Sequence, residues 1–325
     1  MVVIRNRRSM QINSKSLNIG IVGKGNYGEE TFRPLIDKGM IGLCCGLFSH
    51  SFHDIIPLRS YEELEDAVDA VLILDPEYCT FNTISDLVRS LKHVFVENCM
   101  YLTKREIRQL KSLAYEAGVQ IQVSMPHRFQ RPYHEIKDKD LKPHIIECNH
   151  YHPRSKNNKN ISVIEDLLMP DLDVLISVSN ARIRSVFATG VGVMHNDPDV
   201  VNARIEFYNG CIATLSASKI SDKKVHKIRF FENNNYHTLN YQDQSVRNVK
   251  AEESDTEEHG HPEVTDETNF HDEVNESKIL EKELESFYYC IELGTEPVSV
   301  LDDYLNARMV ADDILDQLER NFRRK

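Results

Sequence analysis

The chain has 325 residues, of which 41% are hydrophobic and 28% charged. That is enough for two domains with separate cores and excludes a disordered chain. No apolar run approaches the roughly 20 residues of a bilayer span, and 51 acidic against 39 basic residues exclude nucleic acid as the main partner. Seven scattered cysteines form no CxxC pair, which points to reduced thiols and a cytoplasmic protein rather than to disulfides or a zinc site.

In chain order, residues 1–16 are polar and basic, without the apolar segment of a secretory signal, and read as a flexible leader. Strands follow at 17–22, 40–48, 70–74, 93–96 and 119–123, alternating with helices at 27–38, 61–67, 82–91 and 103–117. Ser60 and Thr103 serve as N-caps, and Gly118 stops the last of these helices. Strands and helices in this alternation build a parallel sheet with helices on both faces, so 17–125 is one α/β domain.

After Pro132 the pattern changes. A helix at 163–178 precedes long alternating runs at 201–218, broken by Tyr208-Asn209-Gly210, and a second hairpin at 227–241. The second domain, 126–300, is therefore α+β with a mostly antiparallel sheet. Residues 252–276 are rich in Asp and Glu and lack Lys and Arg, which reads as a solvated loop. His259, His261 and His271 fall in this loop, and no metal site is assigned to them. Helices at 277–293 and 301–322 end the chain, and 301–325 is expected to pack near the first domain.

The first strand runs directly into Gly23-Lys24-Gly25-Asn26-Tyr27-Gly28, and a helix leaves it. In that context GxGxxG is a dinucleotide turn. Gly23 permits the bend, Gly25 lets a pyrophosphate approach the backbone, and Gly28 lets the helix pack close to the strand. Main-chain N–H groups and the positive helix end then hold the phosphates. The second strand ends at Ser49 and His50, where a carboxylate would meet the adenosine ribose. Its absence favours NADP over NAD, or else marks lost affinity.

This order of motifs resembles the glucose–fructose oxidoreductase, inositol dehydrogenase and MocA family. The likeness rests on Gly23 to Gly28, on Val71-Leu72-Ile73-Leu74-Asp75-Pro76 and on Lys92-His93-Val94-Phe95-Val96-Glu97. Thr103 with its helix, His127-Arg128-Phe129, the run from Asp166 to Asp173 and Glu283-Leu284-Glu285-Ser286-Phe287 add to it. The resemblance implies a Rossmann domain followed by an α+β domain with an open-faced sheet, and homo-oligomers formed through that sheet. It also implies an NAD(P)-dependent oxidoreductase acting on a sugar or nucleotide sugar, with Asp75, Pro76 and Glu97 in the cofactor cleft.

The chain departs from the family where protons are handled. Glu97-Asn98-Cys99 stands where most members have Glu-Lys-Pro, and an Asn amide takes up no proton at neutral pH. In Asp166-Leu167-Leu168-Met169-Pro170-Asp171-Leu172-Asp173, Pro170 replaces the family's catalytic His. Thr80 lies near the position of another usual His. Substitute proton carriers are Asp166 and Asp173, which otherwise serve as a helix cap and a hydrogen-bond anchor. His152 is another candidate; it shares a strand face with His150, opposite Tyr151, and that pair alone is too few ligands for zinc. Read as ordinary surface residues, the two histidines have no such role. Two functions stay open: an oxidoreductase with a rearranged site, or a non-catalytic sensor or partner subunit that binds cofactor or sugar.

Overall fold

The computed structural model describes residues 16–23, 29–47, 55–97, 102–153, 162–195, 197–251, 262–270 and 275–322. Six short apolar segments pair as strands to form the sheet of the first domain. Strands β1 (Leu17–Val22), β2 (Ile41–Leu47), β3 (Ile56–Leu58), β4 (Ala70–Ile73), β5 (His93–Val96) and β6 (Ile121–Val123) make a parallel sheet in the order β3-β2-β1-β4-β5-β6. The chain order reverses between β1 and β4, which is the topological switch point where open α/β sheets bind ligands. Strand β4 is buried along its whole length, as a strand covered by helices on both faces must be.

Helices α1 (Glu29–Asp37), α2 (Tyr61–Ala67), α3 (Phe81–Arg89) and α4 (Lys104–Ala117) cover this sheet. Their ends follow local chemistry. Ser60 accepts from the Glu63 N–H, and Thr103 and Glu106 form a reciprocal capping box. Gly118 closes α4 in the left-handed conformation. Among the described strands of this first sheet, β3 alone lacks a counterpart in the sequence reading; it is three residues long and lies at the sheet edge.

Leaving β6, the chain makes a 3-10 turn at Pro126–Phe129 and the short helix α5 (Arg131–His134). The second sheet comprises β7 (Ile145–Pro153), β8 (Ile183–Val191), β9 (Val200–Phe207), β10 (Ile212–Ser218), β11 (Ile220–Phe231), β12 (Asn235–Asn240), β13 (Ser245–Ala251) and β14 (Pro262–Asn269). Its order is β14-β13-β12-β11-β7-β10-β9-β8, antiparallel except for β7 with β10. Helix α6 (Met169–Ser179) packs on the inner face, next to α8 (Leu301–Phe322).

The acidic stretch is not wholly a solvated loop. Pro262–Asn269 is the edge strand β14, paired in register with β13. Val264, Thr265 and Thr268 favour extended backbone. Arg247 stands opposite Glu267 and supplies across the ladder the positive charge that the stretch itself lacks. His259, His261 and His271 lie outside the described residues.

The two final helices tie the domains together. Helix α7 (Glu276–Leu293) follows the second sheet in sequence but packs against α1 of the first domain. Its Leu280, Leu284 and Phe287 join the core around Phe32 and Phe95, and Lys38 on α1 bonds Glu281 at 3.2 Å. Helix α8 lies against α6 and β8 and also meets α4 of the first domain. Gln317 caps the edge strand β8, accepting from the Ala188 N–H at 2.8 Å and donating to the Val186 carbonyl at 2.7 Å.

Candidate functional site

Strand β1 delivers Gly23 to the switch point with φ +103°, a conformation that disfavours side chains. A Cβ there would meet the Asp75 Cβ at 2.5 Å and the Asp75 nitrogen at 3.0 Å. The ends of β1 and β4 therefore approach as closely as a dinucleotide turn demands. Asp75 caps a 3-10 turn beginning at Pro76 and accepts from the Glu77 N–H at 3.0 Å. Glu97 is held at the end of β5 by a bond from its N–H to the Ile73 carbonyl, 3.0 Å. Gly23, Asp75, Pro76 and Glu97 thus lie together at the carboxyl ends of β1, β4 and β5. The other expected contacts, Lys24, Gly25, Asn26, Tyr27, Gly28, Ser49, His50 and Asn98, lie outside the described residues. Thr80 caps α3, accepting from the Thr83 N–H at 3.1 Å.

In the second domain the segment 164–173 enters α6 through a π turn, Ile164–Leu168, in which the Met169 N–H donates to the Ile164 carbonyl. Pro170, lacking an N–H, is accommodated in the first turn of α6. The three aspartates of this segment have three different surroundings. Asp173 is only 2% exposed and receives a forked pair of bonds from Arg128, 2.7 Å from Nε and 2.6 Å from Nη2. Arg128 also donates to Asp303 and to the Val298 carbonyl. Burial opposes the guanidinium's charge, yet Asp173 and Asp303 raise it above its ordinary value. This is an anchor joining the β6 exit turn, α6 and α8. Both oxygens of Asp173 are already engaged.

Asp166 faces the rim. Lys219, which follows β10 and is 4% exposed, places Nζ 2.6 Å from Asp166 Oδ2. His152, from β7, has Nε2 3.8 Å from the same oxygen. The other ring nitrogen of His152 sits 2.9 Å from the Pro153 carbonyl, to which it donates, and Nε2 is turned toward Asp166. With 23% of its side chain exposed, His152 is open to a small molecule. Lys219 was not legible from the sequence as part of this group, because its partner is 53 residues away.

Asp171 is completely buried under α6 and bonded by two histidines, His226 Nε2 at 2.7 Å and His150 Nδ1 at 2.9 Å. His127 Nε2 lies 3.6 Å from the same carboxylate. His150 is accordingly not a surface histidine. Inward alternation along β7 continues from Ile146 and Cys148 into His150, and buries it. Burial opposes ionisation of Asp171, but the His226 and His150 rings hold it well below the usual carboxylate range. Burial likewise works against the charge on His150, and Asp171 raises it above the ordinary histidine value. At His226 burial wins, and the ring is pulled down to about 4. Cys148 stays a thiol, pushed well up by burial and by Asp171. Three imidazoles and a carboxylate, their ligand atoms all within 4.8 Å of one another, form a set able to hold a metal ion. The sequence reading, which weighs His150 with His152 and separately His259, His261 and His271, contains no such set. His226 could have been found by extending the second hairpin's alternation one step back from Ile228 and Phe230.

Residues 17–125 match the model of an oxidoreductase family with an NAD-binding Rossmann fold, GFO_IDH_MocA. In this stretch, about a third of the chain, the sequence is similar to the glucose–fructose oxidoreductase, inositol dehydrogenase and MocA family. The UDP-N-acetylglucosamine 3-dehydrogenase of Acidithiobacillus ferrooxidans is 24% identical over 183 residues, 56% of this chain and 58% of that protein. An uncharacterized oxidoreductase of Bacillus subtilis is 21% identical over 167 residues, 47% of this chain and 49% of that protein. The sequence matches thus span about half the length of these curated relatives. The fold likeness is more extensive. A solved structure of the Acidithiobacillus enzyme superposes with a TM-score of 0.80 at 18% identity, over 94% of this chain and 99% of that one. A scyllo-inositol dehydrogenase from Lactobacillus casei gives 0.73 at 17% identity, over 95% and 97%. The two-domain fold of these solved structures is therefore present in this chain.

Proposed function

We propose that this chain is a member of that family, binds NADP in preference to NAD and oxidises or reduces a hydroxyl carbon of a sugar, most closely a nucleotide sugar. The observation that carries this reading is the placement of Gly23 at the switch point of a domain matching the NAD-binding family, packed so tightly on Asp75 that no side chain fits. The dehydrogenase named among the relatives supports a nucleotide sugar. Ser49 and His50, in place of an acid, support the 2′-phosphate. A bound nicotinamide supplies the hydride acceptor or donor.

The chain's own residues then have to move the hydroxyl proton. His152 Nε2 is the candidate base, Asp166 stabilises the imidazolium that forms, and Lys219 fixes Asp166 in place. Here a strand histidine stands beside the aspartate that the family pairs with a helix histidine, and Pro170 occupies the helix position. The free, buried thiols, Cys44 and Cys148 among them, support a reducing, cytoplasmic setting. Exposed residues on the outer face of the second sheet support a homo-oligomer formed through it. A second reading, a non-catalytic binding subunit, is favoured by Asn98 and Pro170 standing where the family's proton carriers would be.

NADPH and NADH fluorescence titrations, followed by turnover assays with UDP-N-acetylglucosamine and free sugars, test the proposal. The expected results are tighter NADPH binding, loss of binding in Gly23→Ala, and reduced cofactor formed from NADP⁺ with a nucleotide sugar. Cofactor binding without turnover of any sugar selects the binding-subunit reading. No binding of either cofactor removes the dehydrogenase reading.

A further inference from the structure

We propose that His127, His150, His226 and Asp171 form a closed structural site for one divalent transition-metal ion of the zinc class. The four side chains come from four separate segments: the β6 exit turn, β7, β11 and the first turn of α6. His150 and His226 are register partners across the central pair of the second sheet. Their rings stack at 3.7 Å between centroids with 6° between planes, and each sends a nitrogen to a different oxygen of Asp171. Tyr241 stacks on both His127 and His226 and closes one side of the cluster.

His127 is the residue that a purely hydrogen-bonded network does not explain. It is 9% exposed, and among the described residues neither of its ring nitrogens has a hydrogen-bond partner, Nε2 standing 3.6 Å from Asp171. Burying both nitrogens unpaired is costly, whereas a metal–nitrogen bond would satisfy one of them. A tetrahedral ion with bonds of about 2.0–2.2 Å separates its ligand atoms by roughly 3.3–3.6 Å. The contacts to Asp171 at 2.7, 2.9 and 3.6 Å and a spread of ligand atoms of up to 4.8 Å bracket that value, so the side chains have to shift to seat an ion.

The donor set selects the ion. Three imidazoles and one carboxylate suit zinc and its neighbours, while calcium and magnesium call for oxygen ligands. Four protein donors complete a tetrahedron and leave no position for substrate, which is the mark of a structural site. Such an ion would clamp the exit turn of the first domain to α6 and to the middle of the second sheet. The proposal is independent of the dehydrogenase reading, since metal content is measured without turnover.

The test uses the full chain with any affinity tag removed. Elemental analysis should find about one equivalent of zinc per chain. After treatment with a chelator, cobalt(II) should bind with the same stoichiometry, give the visible absorption of tetrahedral cobalt, and be displaced by zinc. Metal return should raise the melting temperature. His226→Gln should abolish the cobalt spectrum. Should that variant fail to fold, His127→Gln, which removes no existing hydrogen bond, should weaken cobalt binding at least about tenfold. A variant with alanine at His259 and His261 should bind as before. The proposal falls if the chain takes up neither zinc nor cobalt, or if His127→Gln and His226→Gln bind them unchanged; the cluster is then a hydrogen-bonded network alone.

Discussion

Two carboxylates seven residues apart, Asp166 and Asp173, are chemically identical and differ only in their neighbours. Asp173 meets a guanidinium with two parallel bonds and is sealed from solvent, so its removal strands a buried Arg128. Breaking a buried pair in this way costs about 3–5 kcal/mol, a loss that Asp303, still 3.0 Å from Arg128, would reduce. Asp173→Ala is therefore expected to lower the melting temperature sharply while the folded fraction keeps its turnover number. His152→Gln should do the opposite. Its ring is partly exposed and makes one local bond, so stability should change by less than about 1 kcal/mol. Turnover should drop by about 10²–10⁴-fold, with cofactor affinity unchanged. Thermal melts and steady-state kinetics on both variants decide the matter; a stable Asp173→Ala protein or a fully active His152→Gln protein would reverse these roles.

Helix α7 shows how one buried group can set the pH response of a whole element. Glu283 accepts from the Ser124 hydroxyl at 2.9 Å and from the Met125 N–H at 2.8 Å, stitching α7 to the exit of β6. Burial nevertheless pushes its carboxyl up to about 8, against the bonds from Ser124 and Met125, and the nearby Glu97 adds to the rise. A folded-state value above the ordinary 4.5 means that the native protein holds a proton the unfolded chain releases. Stability from this group is complete below about pH 4.5 and declines as the pH climbs through 8. Glu283→Gln keeps the shape without the titration, so its advantage over the wild type should grow between pH 5 and 8 in denaturant midpoints. A difference that stays flat with pH would refute this assignment. Glu283 was visible in the sequence as part of a family segment, but its burial was not, because Ser124 and Met125 lie some 160 residues away in the chain. The same limit runs through the site. Gly23 was legible because its partners are its own flanking strand and helix, and α2, β5 and α8 were legible because periodicity and caps are local. Strands β8, β13 and β14 carry weak or acidic patterns that become strands only through their neighbours. The grouping of Asp171 with three histidines depends on the register between β7 and β11 and on where α6 crosses them.

At the scale of the whole molecule, the two faces of the second sheet have opposite characters. The inner face is filled by α6 and α8. Across the outer face one register row runs Phe187, Arg204, Thr214, Glu147, Arg229, Thr238, Arg247, Glu267, from edge β8 to edge β14. Every residue of this row is exposed or half-exposed, and Phe187 keeps 55% of its surface open at one end. Charges of both signs stand along it, Glu147 lying 3.6 Å from Arg229. A second copy turned about a two-fold axis between Glu147 and Arg229 would place each of these against its opposite charge in the other row, with Arg204 then facing Arg247. An isologous contact of this kind repeats each pairing twice. Eight strands offer ample area for the roughly 1,200–2,000 Å² of a stable interface. Light scattering on the purified chain should therefore give a mass of at least a dimer. The double variant Phe187→Asp with Arg229→Glu should shift it to the monomer while circular dichroism stays the same, because neither side chain enters the core. Since the contact is charged at its centre and apolar at one end, added salt should weaken it without dissolving it. A monomeric wild type, or a double variant that keeps its assembly, would locate the contact elsewhere and leave this face for another partner.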